Sequence, residues 1–170
     1  QPAAISWTWQ YCTEWGFFQV DNTGPQSLLS RYQTVEYFES ICKTHFSAAF
    51  QSGLLPRRPQ AKALNRETGG WRIRPSNVYW TSGEFDPWRP LSPFSLEESA
   101  PTVSYSTKIP ACGAAHKHRI FGYVMENAEH CFDFKMHFEP GIIARRHFVK
   151  ALKKWLPCFN GTVGGGGSRA

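Results

Sequence analysis

The spacing of apolar and polar positions along this chain predicts two strands and two helices. Val78-Tyr79-Trp80-Thr81 is a short β-branched and aromatic run closed by the Ser82-Gly83 turn, and it reads as a buried strand. A second apolar run, residues 120–125, reads as another. Leu28, Tyr32, Val35, Phe38 and Cys42 recur at the period of a core-facing helix. From Glu139 onward, Ile142, Phe148, Val149, Leu152, Trp155 and Leu156 mark one face of an amphipathic helix, with Lys and Arg opposite, and Pro157 ends it. Elsewhere, residues 6–20 are rich in aromatics, residues 21–25 and Thr68-Gly69-Gly70-Trp71 read as turns, and residues 52–60 as a loop. Residues 90–110, rich in Ser and Pro, read as an irregular surface excursion, and the closing glycine run as a flexible tail.

Strand, loop, strand, loop and helix in this order predict the C-terminal end of a doubly wound α/β fold. Parallel strands need further strands beside them, so the sheet is expected to be incomplete, with an open edge. The loops carry the chemistry. Asp86 follows the first strand, between Phe85 and Pro87-Trp88, and Pro87 holds it in an extended conformation. The second strand is followed by Glu126-Asn127-Ala128-Glu129-His130-Cys131-Phe132-Asp133-Phe134. Reactive side chains of open α/β sheets gather outside the carboxyl ends of the strands. An acid after one strand and a histidine after the next is the order of an α/β-hydrolase triad. A serine hydroxyl needs an imidazole to take its proton, and the imidazole needs a carboxylate to fix its tautomer. Asp86 is therefore expected to accept from one ring nitrogen of His130 and leave the other for a serine. That serine belongs in a Gly-x-Ser-x-Gly elbow ahead of Asp86, and the chain contains no such motif. Two members of a triad are expected here.

Composition narrows the alternatives. A length of 170 residues suits one domain, and no apolar stretch is long enough to span a bilayer. A net charge of +6 raises a nucleic-acid reading. Its basic residues, though, sit at Arg57-Arg58, at residues 116–119 and along the terminal helix, without the signature of a reader module. A solvated surface is the better reading, with neither nucleic acid nor membrane as partner. His116 and His118 have metal-ligand spacing without a carboxylate to complete a set, so no metal or other cofactor is expected. His137 and His147 read as structural. Glu84 with Asp86 could form a glycosidase pair, and nothing else in the chain supports that. Five cysteines without a CxxC spacing suit disulfides in an oxidising compartment, with at least one left over. Cys112 with Cys131 is a candidate pairing that the sequence leaves open against Cys158. Asn160-Gly161-Thr162 is a glycosylation sequon. Gln1 in place of Met reads as a processed product or a truncated fragment.

Four blocks in order, Tyr11-Cys12-Thr13-Glu14, Gly69-Gly70-Trp71, Ser82-Gly83-Glu84-Phe85-Asp86-Pro87-Trp88 and Ala128-Glu129-His130-Cys131-Phe132-Asp133, carry a family resemblance. They resemble the C-terminal part of the prolylcarboxypeptidase and dipeptidyl peptidase II family of serine peptidases, and the histidine block looks most like its fungal prolyl endopeptidase branch. The resemblance runs from Trp7 to about Trp155. It implies an α/β-hydrolase core with a remnant of a helical cap, cleavage of peptide or protein substrates at proline, and a secreted, lysosomal or vacuolar setting. On this reading residues 1–50 form a cap or hinge segment. Residues 51–160 form the C-terminal part of the hydrolase domain, and residues 161–170 the tail. Asp86 resembles the triad acid and His130 the triad base, while Cys12 and Cys42 resemble a disulfide pair. Glu14 either lines the substrate pocket or anchors the cap, and Trp88 is a candidate apolar wall for a proline ring. The serine and oxyanion hole are expected in a missing N-terminal part. The competing expectation is an inactive binding or structural derivative of the same fold.

Overall fold

The computed structural model describes residues 2–22 and 24–158. The sequon at Asn160 and the glycine-rich tail lie outside the described residues. The chain divides into two compact units, Gln1–Gly70 and Trp71–Ala170.

The first unit is helical. Helix α1 (Pro2–Gln10) runs into a π-helical turn, Tyr11–Trp15, which stops at Gly16 in the left-handed conformation with φ 67°. Helix α2 (Val35–His45) starts where the Thr34 hydroxyl accepts the Tyr37 N–H at 3.2 Å, a side-chain N-cap. Two short helices follow, α3 (Ser47–Gln51) and α4 (Ala61–Thr68), the latter closed by Gly69 at φ 90°. Cys12, Cys42 and Leu55 form the centre of the unit, surrounded by Trp9, Tyr11, Phe18, Phe46 and Phe50. Cys12 is bonded to Cys42, with their Cα atoms 5.7 Å apart.

The helical stripe expected from Leu28 is shorter than its spacing implied. Leu28 and Tyr32 lie in the turns before α2, 97% and 70% exposed, and the inward face begins at Phe38. The cap at Thr34 sets that start, because its oxygen satisfies a donor that the preceding turns leave open.

The second unit holds a three-stranded sheet with helices, a mixed α/β arrangement. Strands β1 (Trp80–Gly83), β2 (Ser104–Ser106) and β3 (Arg119–Met125) lie in the order β1-β3-β2. Both pairings are parallel, with Gly83 opposite Met125 and Ser104 opposite Arg119. Among the described residues β1 pairs on one edge only. Strand β2 arises inside the Ser- and Pro-rich excursion, where only Val103 and Tyr105 alternate with serines, too short a run to announce it. Its pairing with β3 comes from backbone groups.

Helix α5 (Glu139–Trp155) packs on the sheet through small residues, Gly141, Ala144 and Ala151. Ala144 joins Met125 and Ala128 in a second core, flanked by Tyr123, Phe132 and Phe138. A Cβ on Gly141 would stand 2.7 Å from the Phe132 carbonyl oxygen, so the helix backbone comes close to its neighbours. The Trp155 ring meets Phe121 edge-on. The face expected to point inward does so only in part: Ile142 and Trp155 are half-buried, whereas Phe148, Val149, Leu152 and Leu156 are 40–57% exposed. Close approach selects methyl groups over large side chains on the inner side. No helix among the described residues is long and apolar enough to cross a membrane.

Cys112 pairs with Cys158, not with Cys131, which is free and exposed. Cys112 lies before β3 and Cys131 after it. The seven residues of β3 alone span roughly 20 Å, far beyond the Cα separation of about 7 Å that a disulfide tolerates. Cys158 follows α5, which returns the chain to the entry of β3 with Cα atoms 6.4 Å apart.

Replacing Cys12 and Cys42 together with Ala is expected to lower the stability of the first unit by about 3 kcal/mol, from the freed loop of 30 residues and the emptied core. Urea unfolding followed by tryptophan fluorescence measures this, and an unchanged midpoint would contradict the disulfide's place in that core.

Candidate active site

The site grows out of two neighbouring strand ends. Strands β1 and β3 run parallel, so both carboxyl ends open on the same side, and the chain leaves each of them into a loop. At the end of β1 the Glu84 N–H donates to the Met125 carbonyl and the Phe85 N–H to the Ala128 carbonyl, each at 2.9 Å. These bonds carry the pairing past the last strand residue and hold the two loops together. Gly83 makes that possible. A Cβ there would lie 2.3 Å from the Glu129 carbonyl oxygen and 2.5 Å from that of Ala128, distances no side chain can occupy.

The Asp86 carboxylate is oriented by its own segment. Its Oδ1 accepts the Trp88 N–H at 2.8 Å, an Asx turn across Pro87, which has no N–H to offer. The Asp86 backbone carbonyl accepts the Arg89 N–H at 3.0 Å, closing the loop into a short 3-10 turn, Arg89–Leu91. The carboxylate is only 11% exposed.

His130 reaches the carboxylate from the other loop. Its Nδ1 lies 3.0 Å from Asp86 Oδ2 and 3.2 Å from Oδ1. An ionised carboxylate can only accept, so Nδ1 carries the proton and Nε2 is left as the lone-pair nitrogen of the neutral ring. Nε2 has no hydrogen-bond partner among the described residues, and the side chain is 54% exposed. The Trp88 ring lies 6.5 Å from the imidazole between centroids. The arrangement provides a base with a fixed tautomer, an open nitrogen and a shielded acid behind it.

The segment after His130 is anchored on both sides. Asp133 Oδ2 accepts from the Thr81 hydroxyl of β1 at 3.3 Å. Arg145 of α5 donates to the carbonyls of Asp133, Lys135 and Met136. Cys131 has positive φ, 59°, and burial, with Asp133 and Asp86 nearby, pushes its thiol pKa up. A thiol raised in this way is poorly suited to serve as a nucleophile at neutral pH.

Asp86 and His130, predicted as a pair, therefore meet. Ser82 is buried, with its hydroxyl donating to the Gly83 carbonyl. Glu84 is not aligned with Asp86 as a second acid; its Oε2 accepts the Asn127 N–H at 3.0 Å. Glu14 belongs to the first unit, exposed on the π-helical turn. His116 lines a hollow of about 370 Å³ bordered by Trp80 and Arg119, where β1 and β3 begin, and this hollow includes neither Asp86 nor His130. No cluster of three metal-ligating side chains occurs among the described residues. Sequence reasoning missed Gly83, the Glu84 bond and the Arg145 anchor. A glycine closing a strand was the one available signal, since it often marks a close backbone approach.

The model of the family described as serine carboxypeptidase S28 matches residues 2–135, which include both Asp86 and His130. The chain belongs to this family. Relatives are named as serine peptidases. It is 29% identical over 87 residues to the "Probable extracellular serine carboxypeptidase" of Arthroderma benhamiae, covering 49% of this chain and 11% of that protein. It is 31% identical over 94 residues to the "Serine protease vicPa" of Bipolaris victoriae, covering 53% and 17%. Over 109 residues it is 31% identical to the "Probable serine protease EDA2" of Arabidopsis thaliana, covering 63% and 20%. The matched part thus spans a fifth or less of these relatives. As an S28 member the chain carries a serine-peptidase family's sequence in a mixed α/β unit.

Gly83→Ala is expected to force the His130 loop away from β1, costing about 1–3 kcal/mol as an overpacked contact. It should also remove the imidazole–carboxylate contact, which ring-nitrogen NMR shifts of His130 report. Unchanged stability together with unchanged shifts would show that the close approach is not needed.

Proposed function

We propose that this chain supplies the acid and base of a serine-peptidase triad, with His130 as general base and Asp86 as the residue that orients it. The observation that carries this reading is the 3.0 Å contact between His130 Nδ1 and Asp86 Oδ2, made from the ends of adjacent parallel strands in acid-then-base order. With Nδ1–H held on the carboxylate, Nε2 takes the proton of a serine hydroxyl as that oxygen attacks the scissile carbonyl. The carboxylate then stabilises the imidazolium, which returns its proton to the leaving amine. The serine and the oxyanion hole come from a preceding part of the whole protein, because the elbow motif is not in these 170 residues.

The finer assignment rests on the resemblance in sequence. We assign residues 51–160 to the C-terminal part of an α/β-hydrolase fold, and the disulfide-tied segment of residues 1–50 to its cap or hinge. Within the family we assign the chain to the prolylcarboxypeptidase and dipeptidyl peptidase II branch, acting on peptides or proteins at proline. The Trp88 ring beside His130 suits an apolar wall for a proline ring. Two disulfides and a relative named as extracellular support secretion or a lysosome-like compartment.

In the full-length protein, His130→Ala is expected to reduce hydrolysis of a proline-containing peptide to background, and Asp86→Asn to lower kcat by about 10⁴-fold through the wrong tautomer. Peptide turnover retained by His130→Ala would refute the assignment. The 170-residue chain by itself is expected to resist labelling by a serine-directed phosphonate, and labelling of any serine in it would locate the nucleophile here instead.

A further inference from the structure

Glu84 is the first residue beyond β1, and the proposed catalysis makes no use of its carboxylate. It is nonetheless bonded on three sides. Its N–H reaches the last residue of β3, at Met125, and its carbonyl accepts Arg89 Nη1 at 3.1 Å, beyond Asp86. Its side chain crosses to the other loop, where Oε2 accepts the Asn127 N–H at 3.0 Å. Asn127 has φ 52°, a left-handed turn two residues after β3 ends. That turn reverses the chain so that Ala128 enters the core, fully buried, and its carbonyl meets the Phe85 N–H. His130 follows two residues later. The turn at Asn127 therefore decides where the imidazole arrives, and Glu84 is the only side chain that holds its N–H among the described residues.

We infer that Glu84 is a positioning residue that acts through Asn127 to set the approach of His130 to Asp86. The role depends on reach and on acceptor geometry. An amide oxygen of the same length can accept the same N–H, whereas a carboxylate one methylene shorter cannot span to Asn127. The inference deepens the proposed triad and rests on it only for its catalytic consequence, since the geometry belongs to the loops themselves.

Glu84→Asp, Glu84→Gln and Glu84→Ala in the 170-residue chain separate these ideas. Amide hydrogen exchange at Asn127 and the ring-nitrogen shifts of His130 are the readouts, with the amides of Ile120 and Phe121 in β3 as the control for folding. Glu84→Asp and Glu84→Ala are expected to speed Asn127 exchange roughly tenfold, as loss of one hydrogen bond implies. They should also move the His130 nitrogens toward a mixture of tautomers while β3 stays protected. Glu84→Gln is expected to keep both signals. The inference is overturned if Glu84→Asp leaves Asn127 and His130 unchanged. It is equally overturned if Glu84→Gln perturbs His130 as much as Glu84→Asp does, which would make charge the cause. Loss of β3 protection in both Glu84→Asp and Glu84→Ala would assign Glu84 to the fold as a whole and overturn it too. In the full-length protein the expected signature of Glu84→Asp is a lower kcat with KM unchanged, restored by Glu84→Gln. If His130→Ala kept its turnover, the triad would fall while the exchange results stood.

Discussion

The contact on which the second unit turns is the near-touching of two backbones at Gly83. Parallel pairing brings β1 and β3 to a common end, and hydrogen at the Cα of Gly83 lets the Ala128 and Glu129 carbonyls settle against it. Without that approach the Phe85 N–H has no bond to Ala128, and the histidine loop has no reason to lie beside the aspartate loop. The contact between Asp86 and His130 is thus the outcome of a backbone contact one to three residues upstream of it. Side-chain volume, more than charge, limits this site.

The acid and the base are held in different ways. Asp86 is fixed by a turn of its own segment, through the Trp88 N–H and the chain restriction at Pro87. Such a turn needs only a few residues and forms wherever that sequence is extended. His130 is fixed by contacts distant in sequence: the sheet, Glu84 and the Asp133–Thr81 bond. A carboxylate set in advance gives the imidazole one target and one tautomer.

This division also explains what could be read from the sequence. A loop at Asp86 held by Pro87 was legible because its cause is local, while the bond from the Trp88 N–H was not foreseen. Both main strands were legible from their apolar runs, and the order of acid and base followed from them. But β1 begins two residues late, at Trp80, and takes in Ser82 and Gly83, which read as its closing turn, because pairing with β3 extends to Gly83 opposite Met125. Strand β2 was not legible, because backbone pairing with β3 makes it and its only sequence signal is Val103 and Tyr105 alternating with serines inside a Ser- and Pro-rich stretch. The inner face of α5 was misread in part, for a physical reason: where a helix lies close to a sheet, small residues face inward, and of the large apolar residues only Ile142 and Trp155 share that burial. Cys131 was a candidate partner for Cys112 that the sequence left open against Cys158, because the choice depends on the length of β3 and the return of α5. Glu84 was weighed as a second acid because its bonding partner, a backbone N–H, leaves no trace in the sequence.

The small residues on α5 tie the site to distant volumes. Ala144 and Ala151 are fully buried or nearly so, and between them the helix carries Arg145, whose guanidinium grips the carbonyls that follow His130. The helix behaves as a lever resting on two methyl groups. Adding carbon at either fulcrum would lift the arm that holds the base loop, with no atom of Asp86 or His130 altered. Tolerance to substitution in this unit should therefore follow mechanical connection to that helix more closely than distance from the imidazole.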